Sequence, residues 1–222
     1  MSKTNTTPVH LSVLLDRSGS MSSIASDIVG GFNAFLDEQR KQPGEARLTL
    51  VQFDTGDPFE VVVDGKDLNR VGNMPSGAFA PRGGTPLLDA VARLIIRIDG
   101  EIAARADRGL PIEDQLVMII TDGYENASVE QTRASITAMI DERRGRAWTF
   151  AFLGANQDAF GEADSIGMAH GSAATWDASR QGTGEMWKHL SSSTSAMRAK
   201  SSEDRRSSRD NFFQPGSSGS EG

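Results

Sequence analysis

Asp16, Ser18 and Ser20 occupy alternate positions in the stretch Asp16-Arg17-Ser18-Gly19-Ser20. One carboxylate and two hydroxyls at that spacing can turn three oxygens toward a common point, and Gly19 lets the backbone turn between the serines. Oxygen-only ligands suit hard cations, Mg²⁺ or Mn²⁺ first and Ca²⁺ behind them. Two of the three ligands are neutral, so much of the metal's charge stays uncompensated. The same residue types also serve as helix N-caps and turn formers with no metal at all.

The elements around this stretch place it in a strand-to-helix loop. Val9 to Leu15 is an apolar run that reads as a buried strand. Ile24, Ile28, Phe32, Phe35 and Leu36 follow at helical spacing, and Pro43-Gly44 stops that helix. Arg47 to Phe53 and Phe59 to Val63 read as strands joined through a turn at Asp54-Thr55-Gly56-Asp57-Pro58. Their closeness demands an antiparallel hairpin, with the second strand at the sheet edge. Leu68 to Arg82 is irregular. Thr85-Pro86 opens a helix, with proline expected at its first position and Leu87, Leu88, Val91, Leu94, Ile95, Ile98 and Ile102 on the buried face. Gln115 to Ile120 is the most apolar strand and is expected at the centre. Ser128 with Gln131 reads as a capping box for a helix to about Arg144. A strand from Trp148 to Leu153, a short helix from Asp158 to Ile166, a short strand from Ala173 to Asp177 and a helix from Thr183 to about Lys200 complete the pattern. Alternating strands and helices predict a three-layer α-β-α, doubly wound, mostly parallel sheet of about six strands with one antiparallel edge strand.

Three segments together carry a resemblance. Asp16-Arg17-Ser18-Gly19-Ser20-Met21, Gly83-Gly84-Thr85-Pro86-Leu87 and Ile119-Ile120-Thr121-Asp122-Gly123 match, in type, order and spacing, the metal-ion-dependent adhesion site of von Willebrand factor A domains. The resemblance covers roughly Val9 to Met197. It implies a Rossmann-like fold with a divalent metal, Mg²⁺ or Mn²⁺, held by Asp16, Ser18, Ser20, Thr85 and Asp122. In the family the two serines coordinate directly, the threonine does so in the ligand-bound form, and the aspartates act directly or through water. An open metal position is commonly filled by a Glu or Asp of a protein partner, a charge-assisted contact desolvated at the interface. Small bacterial and phage members are similar in size. For Thr85 a competing role is a simple helix cap before Pro86, and Asp122-Gly123 is also a common turn pair.

Composition narrows the classes. The 222 residues suffice for one sizeable α/β domain. A net charge of −7 and a pI of about 5.0 argue against nucleic acid or an anionic membrane as the main partner. With no cysteine, disulfide and thiol chemistry are excluded. No apolar h-region or membrane-length run is present, and the expected location is cytoplasmic. The expected organisation is a flexible arm at 1–8, the domain at 9–200, and a disordered Ser/Arg/Gly-rich tail at 201–222 whose only apolar pair is Phe212-Phe213.

Other residues draw plainer readings. Asp54 and Asp57 form turns. Glu125, Asn126, Asn156 and Gln157 are rim candidates. His10, His170 and His189 lack metal-ligand spacing. Trp148, Trp176 and Trp187 belong in or near the core. The expected function is therefore a non-enzymatic, metal-dependent protein-binding module. Two alternatives stay open: a metal-dependent phosphoesterase-like enzyme using an aspartyl nucleophile, and a structural or virion-associated protein with a vestigial site. The enzyme reading lacks a second aspartate at the position of Ser18, a nucleotide loop of the Gly-x-x-x-x-Gly-Lys-Ser/Thr type, and a Gly-x-Ser-x-Gly elbow.

Overall fold

A computed structural model describes residues 7–155 and 159–214. The strands are β1 (Val9–Asp16), β2 (Ala46–Phe53), β3 (Glu60–Asp67), β4 (Asp114–Thr121), β5 (Thr149–Ala155) and β6 (Ala173–Trp176). The helices are α1 (Ala25–Lys41), α2 (Leu87–Asp107), α3 (Arg133–Gly145), α4 (Ala159–Ser165), α5 (Arg180–Ala199) and α6 (Ser202–Ser207). The sheet order is β3-β2-β1-β4-β5-β6, with β3 antiparallel to β2 and every other pair parallel. This is the expected doubly wound architecture with its antiparallel edge.

Both faces of the sheet are covered, so β1 and β4 are buried at every position. That explains why their sequences run apolar without strict alternation. Leu11, Val13 and Leu15 pack with Ile28, Phe32, Trp187 and Leu190 of α1 and α5 on one face. Leu14, Val117 and Ile119 pack with Val91, Ile95 and Ile98 of α2 and with Ile136 and Ile140 of α3 on the other. Trp148, Trp176 and Trp187 are all buried, as their bulk suggested. The chain leaves β1 toward one neighbour and β4 toward the other, so the order reverses between these two strands. Their carboxyl ends flank the crevice where open α/β sheets bind ligands.

Four expectations need correction. Pro86 precedes α2 rather than starting it, and Ile102 is 36% exposed rather than buried. The capping box of α3 is made by Thr132 and Ser135, one turn later than the expected Ser128 and Gln131. Ser128 is drawn away by Glu125, whose carboxylate accepts both its amide (2.7 Å) and its hydroxyl (2.7 Å). The largest difference is at the C-terminal end. Residues 201–214 were expected to be disordered, yet α6 docks on the domain. Arg205 is 3% exposed and donates to Asp114 Oδ2 (2.8 Å), the Thr7 carbonyl (2.8 Å) and the Arg198 carbonyl (2.7 Å). Phe212 is buried and meets Phe213 edge-on. A few specific contacts offset the ordering cost that the polar composition alone could not. Residues 1–6 and 215–222 lie outside the described residues, as do Asn156 and Gln157.

Candidate metal centre at the carboxyl ends of β1 and β4

The first loop is shaped by its own aspartate. Asp16 ends β1 with no exposed surface, and its Oδ1 accepts the Ser18 amide at 2.7 Å, which closes the turn. The turn-forming reading of Asp16 is thus correct as far as it goes. Ser18, however, sits at the start of a short 3-10 turn (Gly19–Ile24) without capping it. Its hydroxyl instead lies 3.0 Å from the Ser20 hydroxyl. Ser20 Oγ in turn donates to Asp122 Oδ1 at 2.5 Å, joining the first loop to the loop after β4.

Thr85 arrives on a loop held from both sides. The Gly19 amide donates to the Gly83 carbonyl (3.0 Å), and the Arg82 amide to the Arg17 carbonyl (2.9 Å). Gly83 has φ of +65°, and a Cβ there would lie 2.2 Å from Thr55 Oγ1, so both backbone and space demand glycine. From the other side Asn126 accepts the Thr85 amide through Oδ1 (2.9 Å) and donates its own amide to the Thr85 carbonyl (3.2 Å). The first amides of α2 are taken by neighbours: Leu88 N–H by Glu125 Oε2 (2.9 Å) and Asp89 N–H by Ser128 Oγ (3.2 Å). Those capping positions are filled without the Thr85 hydroxyl.

The hydroxyls and carboxylates converge beside Gly123. A Cβ placed on Gly123 would meet Thr85 Oγ1 at 3.1 Å, Ser20 Oγ at 3.6 Å and Asp16 Oδ2 at 3.8 Å. Three oxygens from two loops therefore face Gly123 of the third across one small space. Asp16, Ser18 and Thr85 form its buried floor, while Ser20 is exposed and Asp122 half-buried at its mouth. Burial pushes the Asp16 carboxyl up to about 6, and the neighbouring Asp122 charge adds to the rise. Burial raises Asp122 as well. Two desolvated carboxylates with hydroxyl oxygens between them suit a hard cation, which relieves their charge. Among the described residues no group of three or more His, Cys, Asp or Glu is placed to hold a metal. The set here is of another kind, with two carboxylates and three hydroxyls.

Two positions that shape the candidate site escaped the sequence reading. Thr121 Oγ1 donates to Asp16 Oδ2 at 2.6 Å and so orients the carboxylate toward the cradle. Asp54, read as a turn former, does accept the Gly56 and Asp57 amides (2.5 and 2.9 Å). It also accepts Arg17 Nε (2.7 Å) and Arg82 Nε (3.2 Å), tying the first two loops together. Burial would raise its carboxyl, but the Asp57 amide and the two guanidinium groups outweigh that and hold it low. Arg17 contacts Gln52 (3.1 Å) and Glu60 besides. An arginine directly after Asp16, at the end of a strand read as buried, was the available signal. Of the rim candidates, Glu125 and Asn126 brace the loops as described. His10 is buried against Thr49 (2.8 Å), His170 stacks on Phe160 (4.4 Å between centroids), and His189 is exposed beside Phe213. None of the three belongs to the site.

No protein-family model and no curated protein matches the chain. Solved structures do. A von Willebrand factor type A protein from Catenulispora acidiphila superposes with a TM-score of 0.57 at 16% identity, over 85% of this chain and 43% of that one. The chain has the von Willebrand factor type A fold. Pilus adhesin SpaC from Lactobacillus rhamnosus GG shares this VWA-like arrangement with a TM-score of 0.64 at 12% identity, over 87% of this chain and 30% of that one. Proximal thread matrix protein 1 from the mussel byssus, in a form with a zinc-occupied MIDAS motif, gives 0.51 at 14% identity, over 82% and 47%. This VWA-fold chain spans less than half the length of each of these three proteins.

Proposed function

We propose that this chain is a metal-dependent protein-binding module. In this reading Asp16, Ser18, Ser20, Thr85 and Asp122 hold a divalent cation, Mg²⁺ or Mn²⁺, and a partner protein presents an Asp or Glu to it. The observation that carries the reading is the convergence of Thr85 Oγ1, Ser20 Oγ and Asp16 Oδ2 on one space, 3.1 to 3.8 Å from the Cβ position of Gly123. The zinc-occupied MIDAS motif of the mussel protein supports a divalent ion at such a site.

When bound, the cation would supply an electrophilic centre to which the three hydroxyls bring no charge. The chain's own residues do the rest. Thr121 and the Ser18 amide hold the Asp16 carboxylate. Asn126 and Gly83 hold the Thr85 loop. The half-open mouth at Ser20 and Asp122 leaves room for an acidic side chain from outside.

One observation favours binding over phosphoryl transfer. Arg17, the basic residue of the first loop, turns away from the cradle into Asp54, Gln52 and Glu60. It is not placed to neutralise a phosphate beside Asp16. No lysine or other arginine occurs between Asp16 and Ile24.

The test is a melting experiment. A ligand of the folded state alone stabilises it by about 2.7 kcal/mol at a hundredfold excess over Kd. Saturating Mn²⁺ is expected to raise Tm by about 5–10 °C, and Asp16→Ala to abolish the rise. An absent rise with Mg²⁺, Mn²⁺ and Ca²⁺ alike refutes the reading. Turnover of an artificial phosphate ester with Mg²⁺, lost in Asp16→Ala, would establish the enzyme instead.

A further inference from the structure

The loop that follows Asp122 presents apolar surface to solvent while being held rigidly from behind. Tyr124, the chain's only tyrosine, is 55% exposed two residues after Asp122. Val129, on the same loop, is 90% exposed, the most exposed large apolar residue among the described residues. Neither results from a floppy segment. Glu125 accepts the Ala127 amide (2.8 Å), the Ser128 amide (2.7 Å) and the Leu88 amide (2.9 Å). Asp89 of α2 is only 4% exposed and accepts the Val129 amide (2.9 Å) and the Gln131 amide (2.8 Å). Two carboxylates thus brace a loop whose outward side chains contribute nothing to the core.

We propose that Tyr124 and Val129 form the specificity rim of the metal site, and that the partner segment carries a large apolar side chain within one or two positions of its Asp or Glu. The inference rests on the metal-dependent reading above and names the partner chemistry that reading leaves open. Position supports it: Tyr124 follows Asp122 by two residues, Asn126 of the same loop accepts the Thr85 amide, and the Val129 amide is held by Asp89, four residues beyond Thr85. Energetics support it as well. Tyrosine is enriched in interface cores, and a pre-organised loop pays little ordering entropy on binding. Charge does not compete, since nearby Glu130 is paired with Arg93 (2.7 Å).

The experiment pans a displayed library of random dodecapeptides against the full chain in Mn²⁺ and elutes with EDTA. The same selection is run on the Tyr124→Ser/Val129→Ser double variant and on Asp16→Ala. Both substituted rim positions are exposed, so the double variant is expected to keep its Tm and its Mn²⁺ shift. From the wild type, the eluted peptides are expected to show an acid with an aromatic or aliphatic neighbour one or two positions away. From the double variant, the acid is expected to persist while the apolar enrichment drops to that of the unselected library. A selected peptide is expected to bind the double variant about tenfold more weakly. Equal apolar enrichment from both proteins overturns the rim while leaving the metal reading intact. An EDTA-eluted pool without acid enrichment, equal to that of Asp16→Ala, overturns both.

Discussion

Thr121 Oγ1 donates a 2.6 Å hydrogen bond to Asp16 Oδ2, joining the ends of β1 and β4. These residues are 105 positions apart, and the bond exists because β1 and β4 are parallel neighbours, with Leu15 opposite Ile120. A side chain that orients a metal-binding carboxylate typically tunes metal affinity by about 10–100-fold. Thr121→Val is therefore expected to weaken Mn²⁺ binding by about that factor, while Thr121→Ser retains it. Titration calorimetry on the three proteins decides the matter, and equal affinities would remove Thr121 from the site.

Gly123→Ala tests the cradle itself. The added methyl would sit 3.1 Å from Thr85 Oγ1 and 3.6 Å from Ser20 Oγ. The backbone of Gly123 is not in the positive-φ region, so its conformation admits alanine, and the Thr85 hydroxyl has to give by a few tenths of an ångström. In EDTA the variant is expected to lie within about 1 kcal/mol of wild type. The Mn²⁺-dependent rise in Tm is expected to vanish. A full rise in this variant would place the ion elsewhere.

The first helix supplies a packing test. Phe32 is 1% exposed against Trp187, and Phe32→Ala is expected to cost about 3–5 kcal/mol. Asp37 faces solvent beside Arg40, and Asp37→Ala is expected to cost less than about 0.5 kcal/mol. Urea denaturation measures both, and comparable costs would contradict the phase of α1.

The docked C-terminal segment makes a stronger claim. Arg205→Ala leaves Asp114 buried without its 2.8 Å partner and is expected to cost about 3–5 kcal/mol. Deleting residues 201–222 is expected to lower Tm. An unchanged Tm in both proteins would return the segment to a disordered tail.

His10 sets a pH dependence remote from the metal loops. Burial, reinforced by Arg47, lowers its pKa from 6.5 to about 3. The unfolded chain therefore takes up the proton first, and this contribution to stability is full above about pH 6.5 and lost as pH falls toward 3. Between about pH 6.5 and 5 the loss amounts to about 2 kcal/mol. His10→Gln does not titrate and is expected to flatten that part of the profile in urea denaturation at stepped pH. A profile identical to wild type would show that His10 is protonated without penalty.

The sequence by itself determined the layer order and marked the residues of the candidate site. Apolar runs such as Gln115 to Ile120 specify buried parallel strands, because only a sheet covered on both faces hides such runs. Asp16, Ser18, Ser20, Thr85 and Asp122 could be singled out because three short ordered segments carry the resemblance to a known family, and such segments are local in sequence. What only the tertiary structure decided are interactions between residues far apart in the chain. Thr121 acquires its partner through strand pairing, and Asp54 becomes a clamp because two arginines from different loops reach it. Ser128 lost its expected capping role to a carboxylate already bonded to α2. The docking of residues 201–214 was hidden for the same reason. Composition measures how much apolar surface a segment can bury, and it is silent on a single arginine that finds Asp114 and two backbone carbonyls inside the folded domain.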